Sequence, residues 1–170
     1  MKRLGLLLIA FLVTSSALFA TNNNEETAKA EKDIVDLAVA TDQLSTLVKA
    51  VQQGDLVQTL KGDGPFTVFA PTNEAFAALP EGVLQKLLMP ENKDKLQAIL
   101  TYHVVSGSIM SGSLKDGQMA ATVQGSDIKV GKSYGKVKIN DADVVTADIE
   151  ATNGVVHVIN KVILPPNLEL

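Results

Sequence analysis

Cysteine and tryptophan are both missing from this 170-residue chain, and phenylalanine and tyrosine together supply only seven rings. Without cysteine no disulfide can staple the fold, so the apolar core alone must hold it. The same absence removes any thiol for lipid attachment behind a leader. Aromatics at 4% leave little material for a cavity that stacks on a flat ligand. No run of lysine or arginine occurs and the formal charge is −4, so the electrostatic footprint for nucleic acid is missing. The longest strongly apolar run, Leu4 to Val13 with Gly5 inside it, is about half the roughly 20 residues a membrane span needs.

What is present begins with a leader. Met1-Lys2-Arg3 is a short basic head, the apolar run follows, and small residues end in Ala17 and Ala20, either a fitting cleavage position. That is the form of a secretory signal peptide over residues 1–20, with an uncleaved anchor as the competing reading. Cleavage leaves 13 basic against 19 acidic residues, a charge of −6 on the exported chain. Residues 21–32 contain no large apolar side chain and read as a flexible leader. Residues 33–166 are long enough for one domain with a sizeable core, and 167–170 form a short tail. The localisation expected is secreted or periplasmic, with no stable membrane span after cleavage.

Helical periodicity fills the first half of the domain. An element is expected from Asp33 on Ile34, Val35, Leu37 and Ala38. A second, starting at Thr41 or Asp42 as N-cap, carries Leu44, Leu47, Val48 and Val51 at i, i+3, i+4 and i+7 until Gly54 breaks it. Phe66 to Ala70 reads as a strand ending at Pro71. Thr72 caps the next helix, Val83 to Met89 is amphipathic, and Lys95 to Leu100 carries an apolar stripe. From Thr101 the pattern turns extended, with short strands expected at Tyr102–Val105, Met119–Val123, Ile128–Val130, Val137–Ile139 and Val144–Ile149. Lys136-Val137-Lys138-Ile139 alternates as a strand with one wet face. Helices in the first half and strands in the second predict an α+β fold with a largely antiparallel sheet.

The last strand is the organising one. Asn153-Gly154 is a hairpin signal, because both residues tolerate the positive φ of a primed two-residue turn. The run after it, from Val155 to Leu164, is apolar on both faces and predicts a central strand closed by Pro165-Pro166. A turn at Asn153-Gly154 would set Thr152 opposite Val155 and Glu150 opposite His157.

Few residues offer chemistry. His103 and His157, the two histidines, each stand in an apolar context that favours a core imidazole bonded to backbone or a carboxylate. A metal reading would join His157 to Asp141, Asp143, Asp148 or Glu150, but two histidines without cysteine make no evident ligand set. A hydrolase would lack Gly-x-Ser-x-Gly, and Ser106 to Ser113 reads as a loop. Lys61-Gly62-Asp63-Gly64-Pro65 is no phosphate loop, since a strand rather than Lys-Ser/Thr and a helix follows. No catalytic, metal or cofactor residue is therefore assigned.

Two blocks carry a resemblance. Gly64-Pro65-Phe66-Thr67-Val68-Phe69-Ala70-Pro71-Thr72-Asn73-Glu74-Ala75-Phe76 resembles the first signature block of fasciclin domains. Ala151-Thr152-Asn153-Gly154-Val155-Val156-His157-Val158-Ile159 resembles the second. Tyr102-His103 and Asp148-Ile149 stand where many such domains carry Tyr-His and Asp-Ile, and the similarity runs from about Asp33 to Pro166. It implies a wedge of short, mostly antiparallel strands flanked by α-helices. It also implies a non-enzymatic extracellular or envelope-attached module for adhesion and protein interaction. In animal adhesion proteins of this family the Tyr-His and Asp-Ile positions have been proposed as integrin contacts. The resemblance thus implies Tyr102, His103, Asp148 and Ile149 as partner-binding candidates, the partner being a surface protein or polysaccharide and the chain a monomer or weak oligomer. A carrier of a small apolar ligand such as a pigment or lipid is the alternative, separable by whether a sizeable apolar pocket exists.

Overall fold

The computed structural model describes residues 32–166 and residue 168. The expected signal peptide, and the leader up to residue 31, lie outside the described residues.

Helix α1 (Ile34–Val39) begins where Asp33 accepts the Asp36 N–H at 2.8 Å, and both carboxylates meet the Lys61 ammonium at 2.9 Å. A 3-10 turn (Asp42–Leu44) leads into α2 (Ser45–Gln53), then α3 (Val57–Leu60). Thr41 does not cap this pair; its hydroxyl donates back to the Leu37 carbonyl at 2.8 Å. Strand β1 (Phe66–Pro71) precedes α4 (Asn73–Ala77), which the Thr72 hydroxyl caps by accepting the Ala75 N–H. Helices α5 (Val83–Leu87) and α6 (Lys93–Tyr102) complete the first half. Strands β2 (Val104–Ser106), β3 (Met119–Ala121), β4 (Asp127–Ser133), β5 (Lys136–Ile139), β6 (Ala142–Ala151) and β7 (Gly154–Ile159) fill the second.

The seven strands form one sheet in the order β2-β1-β7-β6-β5-β4-β3. A bridge between Val105 and Thr122 brings its two edges together, so the sheet curls into a nearly closed wedge. All pairs are antiparallel except β1 with β7, which run parallel with Phe66 opposite Gly154. Alternation along the two central strands divides the core. Val68, Ala70, Val156 and Val158 face the helices, where Leu44, Leu47, Ala50, Leu96 and Leu100 cover them. Phe69 and Ile159 face the wedge interior among Tyr102, Ile128, Val130, Val137 and Ile139. No helix among the described residues is long and apolar enough to cross a membrane.

Three expectations about the last strand and the turn before it need correction. The turn between β6 and β7 is Thr152-Asn153, so Ala151 pairs with Gly154 and Glu150 faces Val155 rather than His157. Gly154 is a strand residue without positive φ; it is glycine because an added Cβ would lie 1.9 Å from the Phe66 carbonyl oxygen. Finally, β7 ends at Ile159, where Asn160 turns away to accept the Asp143 N–H through its side-chain oxygen at 2.9 Å. It does not run on to Pro165. The central position of β7 is as the sequence predicts.

Candidate functional site

Tyr102 and His103 do not lie on a strand. Tyr102 is the last residue of α6 and His103 its cap, so the helix drives both side chains under the sheet. Each is almost fully buried, at 3% and 2% exposure. The Tyr102 hydroxyl donates to the Asp127 carbonyl at 3.1 Å and accepts from the Asn140 amide at 3.1 Å. The His103 Nδ1–H donates to the Ile99 carbonyl at 2.8 Å, and Nε2 accepts the Ile163 N–H at 3.2 Å. That pairing requires the neutral ring, and burial pulls its pKa down from 6.5 to about 4 against the help of the Ile99 carbonyl.

His157 is held in the same manner from the other side. Its Nδ1 accepts the Asp148 N–H at 3.2 Å and its Nε2–H donates to the Ile109 carbonyl at 2.8 Å. The ring stacks on Phe69 with centroids 5.5 Å apart. Phe69 in turn donates its N–H to the His103 carbonyl at 2.8 Å, so the strand between the two imidazoles ties both into one framework.

Asp148 and Ile149 sit where β6 departs from regular pairing, with register shifts on either side of Thr146. Asp148 takes φ +58, and this irregular backbone lifts its carboxylate into solvent. There the carboxylate receives the Ser111 N–H at 2.6 Å and the Ser111 hydroxyl at 2.5 Å. Partial burial pushes the carboxyl pKa up. The two Ser111 donors, with His157 and Lys132 nearby, outweigh it and hold the group below its ordinary value. Ile149 is half-buried and packs against the helical core. Of the four residues the sequence singled out, Asp148 alone is exposed to solvent.

Ser111, Asp148 and His157 are the residue types of a hydrolase triad in the wrong arrangement. The hydroxyl bonds to the carboxylate directly, and both imidazole nitrogens are spent on backbone groups, so no base faces a nucleophile. Asp141 and Asp143 pair with Lys161 and Lys138. Among the described residues no three of His, Asp and Glu converge as metal ligands, and every buried side-chain nitrogen or oxygen has a partner. Sequence reasoning missed Ser111 as the clamp on Asp148. It also missed Asn153 as a joint, whose side chain accepts the Ile34 N–H and donates to the Leu60 and Gly62 carbonyls. The Ser-rich loop was the visible sign of the first; the second had none beyond its turn chemistry.

Residues 42–165 match the sequence model of the Fasciclin domain. The chain belongs to the fasciclin domain family. Protein sll1483 of Synechocystis is 54% identical over 133 residues, which are 78% of this chain and 73% of that protein. Transforming growth factor-beta-induced protein ig-h3 of Sus scrofa is 43% identical over 133 residues, 78% of this chain but 19% of that much longer protein. A domain pair from the insect cell adhesion molecule fasciclin I shares the fold, with a TM-score of 0.72 at 20% identity over 80% of this chain and 52% of the other. In this fasciclin domain the two signature blocks contain β1 and β7, and the parallel pairing of those strands explains the joint presence of Gly64 and Gly154. A Cβ at Gly64 would lie 2.1 Å from the Asn153 carbonyl oxygen.

Proposed function

We propose that this fasciclin domain is an exported, non-enzymatic interaction module that binds a surface protein or polysaccharide outside the cytoplasm. One observation carries the reading: the buried polar groups, both histidines and Tyr102 among them, are fully occupied in holding the fold. Chemistry directed at a partner is left to the surface. The basic head and apolar run of residues 1–20 support export, and the insect neighbour is named a cell adhesion molecule. Within this reading Asp148 and the half-buried Ile149 are contact residues, whereas Tyr102 and His103 shape the surface from beneath.

The test is binding of the purified, labelled mature domain to envelope preparations of its own producing organism, competed by unlabelled domain. Saturable binding that Asp148→Ala weakens several-fold, with little change in thermal midpoint, is the expected result. Absence of any competable binding would remove the proposal.

The carrier reading keeps one observation in its favour. A largely apolar cavity, with Gln52 at one side, lies between α1, α2 and the sheet, lined by Ile34, Val48, Val51, Val57, Val68 and Val156. Its volume is about 30 Å³, against the roughly 300–1,000 Å³ of ligand pockets. A pigment or lipid tail is far larger than this space. Native mass spectrometry of the domain purified from its producing organism distinguishes the two, since a carrier retains an extractable mass of a few hundred daltons.

A further inference from the structure

The β4–β5 hairpin combines features that the rest of the surface lacks among the described residues. Between Ile128 and Asn140 the chain carries four lysines and no carboxylate, although the whole chain is acidic. Val130, Val137 and Ile139 point into the wedge, so Lys129, Lys136 and Lys138 share the outer face. Pairing sets Gly131 opposite Lys138 and Ser133 opposite Lys136. The three ammonium groups therefore climb the ribbon in a zigzag, with only small side chains between them. Lys138 shares Asp143 at 3.1 Å, whereas Lys129 and Lys136 form no ion pair among the described residues. A Cβ at Gly131 would make ordinary contact with Lys138, so packing does not demand glycine there, and its absence leaves a shallow notch beside the lysines.

At the tip stands Tyr134, fully exposed, with φ +49, followed by Gly135 at φ +77. Positive φ at both central residues defines a primed turn, whose first position favours Asn, Asp or Gly. A bulky ring in that backbone region is an outlier. One of seven aromatic rings is spent where it packs against nothing and strains the turn. Such a departure from local preference points to a use outside the fold.

We infer that the outer face of the β4–β5 hairpin binds an acidic polysaccharide, with Lys129, Lys136 and Lys138 on its carboxylates or sulfates and Tyr134 stacked on a sugar ring. This rests on the interaction-module reading and names its partner class. A thread-like polyanion lying along the ribbon meets Asp143, already paired with Lys138, and Asp127 at the base of β4, but stays clear of most of the rest of the acidic domain. A planar anionic membrane would face that remainder as well, and the tip offers no apolar wedge beyond one tyrosine flanked by Lys132, Ser133, Gly135 and Lys136. The tyrosine ring suits a sugar, since its face packs on ring C–H groups and its hydroxyl stays wet.

The experiment titrates the mature domain with polygalacturonate, a polyuronate, beside neutral dextran and vesicles containing phosphatidylglycerol. Binding to polygalacturonate that falls steeply with salt and is absent for dextran is expected. The triple variant Lys129→Gln, Lys136→Gln, Lys138→Gln should bind on the order of tenfold more weakly. Tyr134→Asn should bind several-fold more weakly while keeping or raising the thermal midpoint, because Asn suits the turn better. Undiminished binding by both variants overturns the inference, as does binding of the wild type to vesicles but not to polygalacturonate. Envelope binding without polygalacturonate binding would sink this inference and leave the interaction module standing. Binding to neither would remove both.

Discussion

At the scale of single residues, His103 joins sequence, burial and stability most directly. Its ring is neutral in the folded state because Nε2 must accept the Ile163 N–H, and burial holds its pKa at about 4 instead of 6.5. The unfolded chain therefore takes up a proton below pH 6.5 that the folded chain refuses until about pH 4. Stability from this group is complete above pH 6.5 and is lost as pH falls toward 4, by on the order of 3 kcal/mol in all. Asp33, Asp141, Asp143 and Asp148, held below their ordinary 3.8, give up their contribution only at lower pH. Of these groups with a displaced pKa, His103 is the one that acts between 6.5 and 4. Denaturant melts across it should show stability falling with acid in the wild type and a flatter profile in His103→Gln. Equal slopes in the two proteins would mean that the imidazole titrates freely in the fold. The same residue shows how far sequence reading reaches. An apolar context argues for a core histidine, and that is its place; the helix expected over Lys95 to Leu100 runs on through Tyr102, where the residue types predict a strand. Tyr102-His103-Val104-Val105 has strand-like residue types, but α6 continues through Tyr102 because Leu96, Ile99 and Leu100 keep a helical stripe against the core.

At the scale of elements, the hairpin between β6 and β7 is legible as a hairpin, but its turn lies one residue earlier than expected and the pairing partners beside it shift by two. Local turn chemistry favoured Asn153-Gly154 as the central pair. The winning term is tertiary: Asn153 must hold Ile34, Leu60 and Gly62 together, and Gly154 must let the Phe66 backbone pass. Neither demand can be seen from within the hairpin. The bulge that frees Asp148 was equally hidden, because nothing in Thr146-Ala147-Asp148 marks a register shift. Gly154→Val together with Gly154→Ala tests the close approach of β1 at that glycine. Under the close-approach account even alanine drives a Cβ into the Phe66 carbonyl and separates β1 from β7. Both variants should then lose roughly 3 kcal/mol or more, or fail to fold, since forced overpacking commonly costs 1–3 kcal/mol where neighbours can yield and backbone yields poorly. Chemical denaturation measures it. An alanine variant within about 0.5 kcal/mol of wild type would mean the strands have room to spare.

At the scale of the molecule, the question is whether two clusters of core side chains make one cooperative unit. The helices cover one face of β1 and β7, and the wedge interior is filled from the other face of the same two strands. Val68 and Ala70 serve the first cluster while Phe69 between them serves the second; Val158 and Ile159 divide in the same way. Neither cluster can open without pulling residues of the other from their places, and no disulfide exists to hold half a fold together. Ile139 is a probe for this coupling, being fully buried in the wedge on a strand that pairs with β4 and β6. Ile139→Ala should cost about 2–5 kcal/mol by leaving a cavity. The loss should appear as one earlier transition in which helical circular dichroism and tyrosine emission move together, since Tyr102 reports from the wedge. If the helical signal instead held while the tyrosine signal changed first, the alternating strands would be a hinge between two separable halves, and the surface at Asp148 and the β4–β5 ribbon would belong to the less stable one.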